Sequence, residues 1–362
     1  MLVNSNPSSA DCARIEADLK PRRRKAKRHP LSSGDILTFN GPSLRPDALP
    51  ALDRTPSTTA GSLAAPHRPV NRRLLDRLAH APPGAVHRLT LVQPIQAGKD
   101  EFSQVWRVEV EAGGRREPAM LKLFVEALFP YPREHNSRAW QPAGDFADAE
   151  AASYAAFSTL QGGVVPYCYG FYQFPLPFGE TVIGVLLEDL SDLATPLPTW
   201  LARQRRRKLR QQRQSQLSSD SSISEDSSVD SSDSEVDPDE EILELEDVKP
   251  TLDLILESLR RLQSAGRANF RFLPSDILVV GSEPSRTQVI KTGFATSCSV
   301  QEIAEYTDRE NRERLARYGE GVVNEMVWEQ VEQHMLVNLL GWAVSLELME
   351  EYSEACNHFQ RQ

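Results

Sequence analysis

Apolar residues recur along this chain with two different periods, and the changes between them mark its elements. From His87 to Phe124 apolar and polar positions alternate. Leu89-Thr-Leu-Val92, Gln104-Val-Trp-Arg-Val-Glu-Val110 and Ala119-Met-Leu-Lys-Leu-Phe124 read as three strands, with turns at Gly98-Lys-Asp and Ala112-Gly-Gly114. After an aromatic and Pro-rich connection the period lengthens. Phe146, Ala149, Ser153, Phe157 and Leu160 share one face of a helix over 145–160, which Gln161-Gly-Gly163 ends. Gly170–Phe174 and Thr181–Leu187 return to strand character and pair as a hairpin. From Thr251, the residues Leu252, Ile255, Leu256, Leu259 and Leu262 form an amphipathic helix that Gly266 terminates. Two short strands follow, Ile277–Val280 and Gln288–Ile290. The remainder is charged and helical, with Val323, Met326, Val327, Val331, Met335, Leu339, Ala343 and Leu346 on one stripe that predicts a core helix.

Composition removes two stretches from the folded part. The first 85 or so residues, rich in Pro, Ser, Arg and Ala, and the segment from Arg203 to about Asp247 hold too little apolar surface to offset the entropy of ordering them. The predicted organisation is therefore a disordered basic region over 1–85, a β-rich unit over 86–200, a basic and then acidic insert over 201–248, and a helical unit over 249–362. The net charge of −10 belongs to one tract, since Asp220 to Asp247 contains 13 acidic residues and no basic one, leaving about +3 for everything else. Cys12, Cys168, Cys298 and Cys356 are too scattered for a disulfide framework or a zinc knuckle, which predicts a reducing compartment. The N-terminus lacks a signal-peptide core and no apolar run approaches the ~18 residues of a membrane span. The expectation is an intracellular protein, nuclear or cytoplasmic, with no membrane partner.

Two charged runs suggest partners. Lys20-Pro-Arg-Arg-Arg-Lys-Ala-Lys-Arg28 suits an acidic groove on a nuclear import receptor, or is a solvated basic run. Serines such as Ser224, Ser231 and Ser234, with carboxylates downstream, suit acidophilic kinases, or belong to a solubilising loop.

The order of elements and several of its residues resemble the protein-kinase fold. The three strands carry a lysine in the third, as a kinase N-lobe does. That implies Val105 over an adenine, Lys122 on the phosphates, Gly98 as the remnant of the glycine-rich loop, and Glu150 as the partner of Lys122. Glu150-x-x-x-Tyr154, Leu160-Gln-Gly and Val165-Pro-Tyr-Cys-Tyr-Gly170 resemble fungal protein-kinase-like proteins. Glu188-Asp-Leu-Ser resembles the hinge whose backbone reads the adenine edge. Leu262-Gln-Ser-Ala-Gly266, Asn269-Phe-Arg271 and Pro274-Ser-Asp276-Ile-Leu278 match the framework of the catalytic loop. Its chemical positions differ. Arg271 stands where the resemblance implies the proton-accepting Asp, Asp276 at the metal-binding Asn, and Lys291-Thr-Gly293 in place of Asp-Phe-Gly.

The resemblance implies an α+β, bilobal protein-kinase-like fold with a small β-rich N-lobe and an abbreviated helical C-lobe, joined to a disordered N-terminal arm and a disordered acidic insert. Arg271 cannot serve as a base near neutral pH, and Lys291 repels a magnesium ion. The expectation is a pseudokinase acting by binding, with no catalytic residue and no metal site, taking ATP without magnesium if it takes it at all. Lys122, Arg271 and Lys291 would make the cleft cationic, so the acidic insert is expected to dock there internally; no protein partner is specified. The alternatives are an active phosphotransferase with rearranged metal ligation, and a nuclear adaptor working through its charged tails.

Overall fold

In a computed structural model the described residues are 8–50, 68–79, 81–112, 114–132, 140–220, 250–251, 253–255, 257–258, 261–262, 265, 267–269, 276–281, 287–294 and 297–299. The predicted acidic tract, Arg271 and the apolar stripe of 322–349 lie outside them.

The alternation seen in sequence becomes a sheet that curls until its two edge strands meet. Strands β1 (Ile36–Asn40), β2 (Val86–Gln96), β3 (Gln104–Ala112), β4 (Arg115–Leu123), β5 (Cys168–Pro175) and β6 (Thr181–Leu187) lie in the order β1-β2-β3-β4-β6-β5, and every neighbouring pair is antiparallel. Just beyond β1, Leu44 N–H donates to Phe171 O at 2.8 Å and Phe171 N–H donates to Ser43 Oγ at 3.0 Å, so the edge of β5 is covered. Phe39 of β1 packs across the interior on Tyr172 and Phe174 of β5. Because successive strand residues face opposite sides, Leu37, Phe39, Leu89, Leu91, Trp106, Val108, Leu121, Leu123 and Leu186 form one interior core. Leu74, Leu75 and Leu78 of α2 (Arg72–Ala79) belong to the same core. Gly170 sits at a register shift between β5 and β6 with φ +133°, and a Cβ there would fall 2.4 Å from the Tyr172 hydroxyl.

The expectation of disorder over 1–85 does not describe residues 8–50 and 68–79. Helix α1 (Ser9–Arg28) is capped by Ser8 and Asp11 in a reciprocal capping box, and Lys25, Lys27 and Arg28 lie in its last turn. The pairs Glu16–Lys20 at 3.1 Å and Asp18–Arg22 at 3.3 Å add i,i+4 support. Cys12, Leu19, Arg23 and Ala26 make its buried stripe. Composition missed this helix because its apolar stripe is short and Pro21 lies inside it. The predicted basic cluster is thus helical, with Arg22 joined to Glu126 and Glu180 and Arg23 buried.

Helix α3 (Ala143–Ala156) packs on the outer face of the sheet, and its buried residues are Phe146, Ala147, Glu150, Ala151, Ser153 and Tyr154. Its face is rotated from the predicted one, Ala149 being only half-buried, and Phe157 caps the helix instead of continuing it.

The chain divides into two compact units, the first built on the stretch up to Asp192 with the described residues of Ser258–Arg271 and Ile290–Glu325. The second contains β7 (Ala194–Pro196), α4 (Leu197–Asp220) and β9 (Ile277–Val280), where β7 and β9 pair antiparallel and Leu197 and Trp200 of α4 are buried. The predicted basic run Arg203–Arg210 is a continuation of α4. The short strands β8 (Arg267–Asn269) and β11 (Ser297–Ser299) pair within the first unit, and β10 (Gln288–Lys291) is where the chain passes from the second unit to the first. Among the described residues no helix is long and apolar enough to cross a membrane.

Candidate functional site

Trp106, Val108, Leu121 and Leu123 point into the barrel, so the intervening residues of β3 and β4 face outward on the side of α3. The register pairs Val105 with Lys122 and Arg107 with Met120. Those four side chains therefore share one face, the face that the resemblance assigns to a nucleotide.

Lys122 Nζ donates to Glu150 Oε2 at 2.5 Å, with Lys122 9% and Glu150 0% exposed. A carboxylate buried on a helix face needs a cation beside it, and the lysine supplies one. Glu150 Oε1 has no hydrogen-bond partner among the described residues, and neither has the hydroxyl of Tyr154, one turn later and also buried. Burial and the nearby Glu150 charge hold the Tyr154 phenol well above its ordinary range. Phe294 packs edge-on to Tyr154 at 5.6 Å and against Phe157 at 5.1 Å, which ties α3 to the segment after Lys291.

Lys291 is 2% exposed. Its Nζ donates to the carbonyl oxygen of Thr292 and to that of Gly293 at 3.4 Å, and its backbone N–H donates to Val164 O at 2.8 Å. The ammonium also lies 5.5 Å from the centroid of the Phe294 ring. The lysine is thus solvated by main-chain oxygens near its own position. Lys122, for its part, is matched by Glu150, and Arg271, the third cation of the expected cleft, lies outside the described residues.

The turn between β2 and β3 is closed on itself. Gly98 N–H donates to Gln104 Oε1 at 2.7 Å, and Gln104 Nε2 returns a bond to Gly98 O at 2.8 Å. Asp100 N–H donates to Leu128 O at 2.7 Å. A phosphate cradle requires backbone N–H groups directed at an anion, and these two are directed at acceptors of the chain.

Glu188 follows β6. Its carboxylate takes two bonds from the Arg68 guanidinium, at 2.9 and 2.8 Å, and a third from Tyr167 N–H at 3.1 Å. Arg68 also donates to Gly163 O and Val165 O. The predicted hinge residue is therefore a buried structural anchor through its side chain. Arg68, alone in a Pro-rich stretch and 120 residues from its partner, carries no local signal of this role.

Arg107 was also missed, although strand alternation alone places it on the face of Val105. Its Nε donates to Asp189 Oδ2 at 2.8 Å and its Nη2 to Asp192 Oδ2 at 2.6 Å. The two carboxylates raise the guanidinium pKa further. This ion cluster joins the outer face of the sheet to the segment after Glu188. Asn269 lies in β8 and Asp276 just before β9, in the other unit. No three or more His, Cys, Asp or Glu side chains gather into a metal site among the described residues.

No protein-family model matches the chain and no curated protein matches it. Solved structures to which it is similar include a mutant of the PknI kinase domain of Mycobacterium tuberculosis, with 9% identity and a TM-score of 0.35 over 70% of this chain and 74% of that one. The unsubstituted PknI kinase domain gives 11% identity and a TM-score of 0.34 over 65% and 72%. At these values the similarity assigns neither substrate nor partner.

Proposed function

We propose that the chain is a protein-kinase-like protein that acts by binding and does not transfer phosphate. Lys291 carries this reading. At the position where the resemblance implies the principal magnesium ligand stands a buried cation, bonded to the carbonyl oxygens of Thr292 and Gly293. Phosphoryl transfer depends on a metal ion that bridges the phosphates and neutralises their developing charge, and a lysine at that point opposes the ion.

Three further features support the reading. Arg271 replaces the proton-accepting carboxylate, and losing general-base assistance costs about 10²- to 10⁴-fold in rate. The Gly98 and Asp100 amides are bonded within the chain. Arg107, with Asp189 and Asp192, forms an ion cluster beside Met120, where an adenine would enter. The described residues therefore do not fit a metal-bound triphosphate. The rival reading, an atypical phosphotransferase, rests on one observation: the buried Lys122–Glu150 pair is intact.

A thermal-shift titration separates the two. A ligand that binds the native state raises its melting temperature by mass action. The binding-protein reading expects no greater rise with ATP plus magnesium or manganese than with ATP alone. A rise that requires the metal, and that Lys122→Met abolishes, contradicts it.

A further inference from the structure

Two adjacent arginines fasten helix α1, and they reach different parts of the molecule. Arg22 bonds Glu180 at 2.9 and 3.3 Å and Glu126 at 3.0 Å, at the β5–β6 turn and the segment after β4. Arg23 is 6% exposed. Its Nε donates to Ala127 O at 3.1 Å, Nη2 donates to Phe129 O, and the guanidinium lies 3.8 Å from the centroid of the Tyr131 ring. Its remaining nitrogen, Nη1, reaches Asp100 Oδ1 at 3.4 Å. One side chain of α1 thus touches both the β2–β3 turn and the connector that runs from β4 towards α3.

Those two segments also hold each other. Asp100 N–H bonds Leu128 O. The Phe102 ring packs on Phe129 at 5.4 Å and on Phe146 of α3 at 5.1 Å. Asp100 adopts φ +68°, a left-handed conformation that is uncommon outside glycine and needs support from its surroundings. The support comes from the carboxylate, which lies between Arg23 and Lys99.

We infer that α1 is an intramolecular clamp. Through Arg23 it holds the β2–β3 turn against the connector in a conformation whose amides are satisfied inside the chain, and undocking α1 frees that turn and loosens the entry to α3. The clamp links the N-terminal basic helix to the surroundings of the Lys122–Glu150 pair. It holds whether or not that face takes a nucleotide.

Hydrogen–deuterium exchange of the full chain tests it without any ligand, because amide exchange reports local opening. Arg23→Ala is expected to speed exchange at 97–103 and 124–132 at least about tenfold while β3 and β4 exchange as in wild type. Asp100→Asn removes the turn-side charge but keeps a residue that tolerates the left-handed conformation. It is expected to speed exchange at 97–103 alone, and by less. The inference is overturned if neither variant alters the turn. It is overturned equally if Arg23→Ala accelerates the barrel strands as much as the turn while Asp100→Asn leaves the turn at the wild-type rate.

Discussion

Arg68 and Glu188 illustrate how a buried pair of charges is satisfied in this protein. The guanidinium and carboxylate are bonded twice, and the leftover donors and acceptor reach the main chain at Gly163, Val165 and Tyr167. Removing one partner strands the other, which for buried pairs costs about 3–5 kcal/mol. Arg68→Ala is expected to lower unfolding free energy by about that amount in a denaturant titration. The double variant Arg68→Ala/Glu188→Gln should recover part of it, since no uncompensated charge then remains. A double variant whose loss equals the sum of the two single losses would show that the pair is not coupled. His87 gives a pH signature at the same scale. It stacks on Phe39 at 5.1 Å, its Nε2 has no partner among the described residues, and burial lowers its pKa below the ordinary 6.5. Below that value the unfolded chain binds the proton more readily than the folded one, so stability rises with pH there. The contribution is complete above 6.5 and is lost as pH falls through the folded value. His87→Phe is expected to flatten the stability profile of wild type below pH 6.5; an unchanged slope would assign the dependence to other groups.

At the scale of elements, the sequence was most legible where a period ran long enough to be counted. β3, β4 and the β5–β6 hairpin lie where alternation placed them, because one face of each is buried in the barrel. Lys122 and Glu150 were named as partners only through a resemblance, and their 2.5 Å contact joins residues 28 positions apart. β1 went unread because five residues, with only Leu37 and Phe39 facing inward, give too short an alternation to count. The β1 edge contact that closes the barrel is long-range, and no local pattern announces it. Helix α1 was hidden for another reason. Its stability comes from a capping box, side-chain pairs and the burial of an arginine, whereas composition weighs apolar surface alone. The rotated face of α3 has a similar origin: Glu150 counts as polar in a periodicity, yet its pairing with Lys122 lets the helix bury that side. Arg107 lay within a strand already recognised, and what it does depends on Asp189 and Asp192, more than 80 residues away.

For the whole molecule the central question is what the buried lysine–glutamate pair does if, as proposed, the chain transfers no phosphate. Lys122 and Glu150 still join the sheet to α3, and Phe294 holds the far end of that helix. The pair thus has a packing role of its own, because losing either charge would leave the other buried. Lys122 is thereby tied to the integrity of the sheet and α3, and under the proposed function it serves no phosphate. The most direct test is a phosphoryl-transfer assay with radiolabelled ATP, run with magnesium and with manganese on wild type and Lys122→Met. Neither protein is expected to transfer label above background, to itself or to general protein acceptors. Transfer by wild type that disappears in Lys122→Met, with the variant still folded by circular dichroism, would contradict the proposed function.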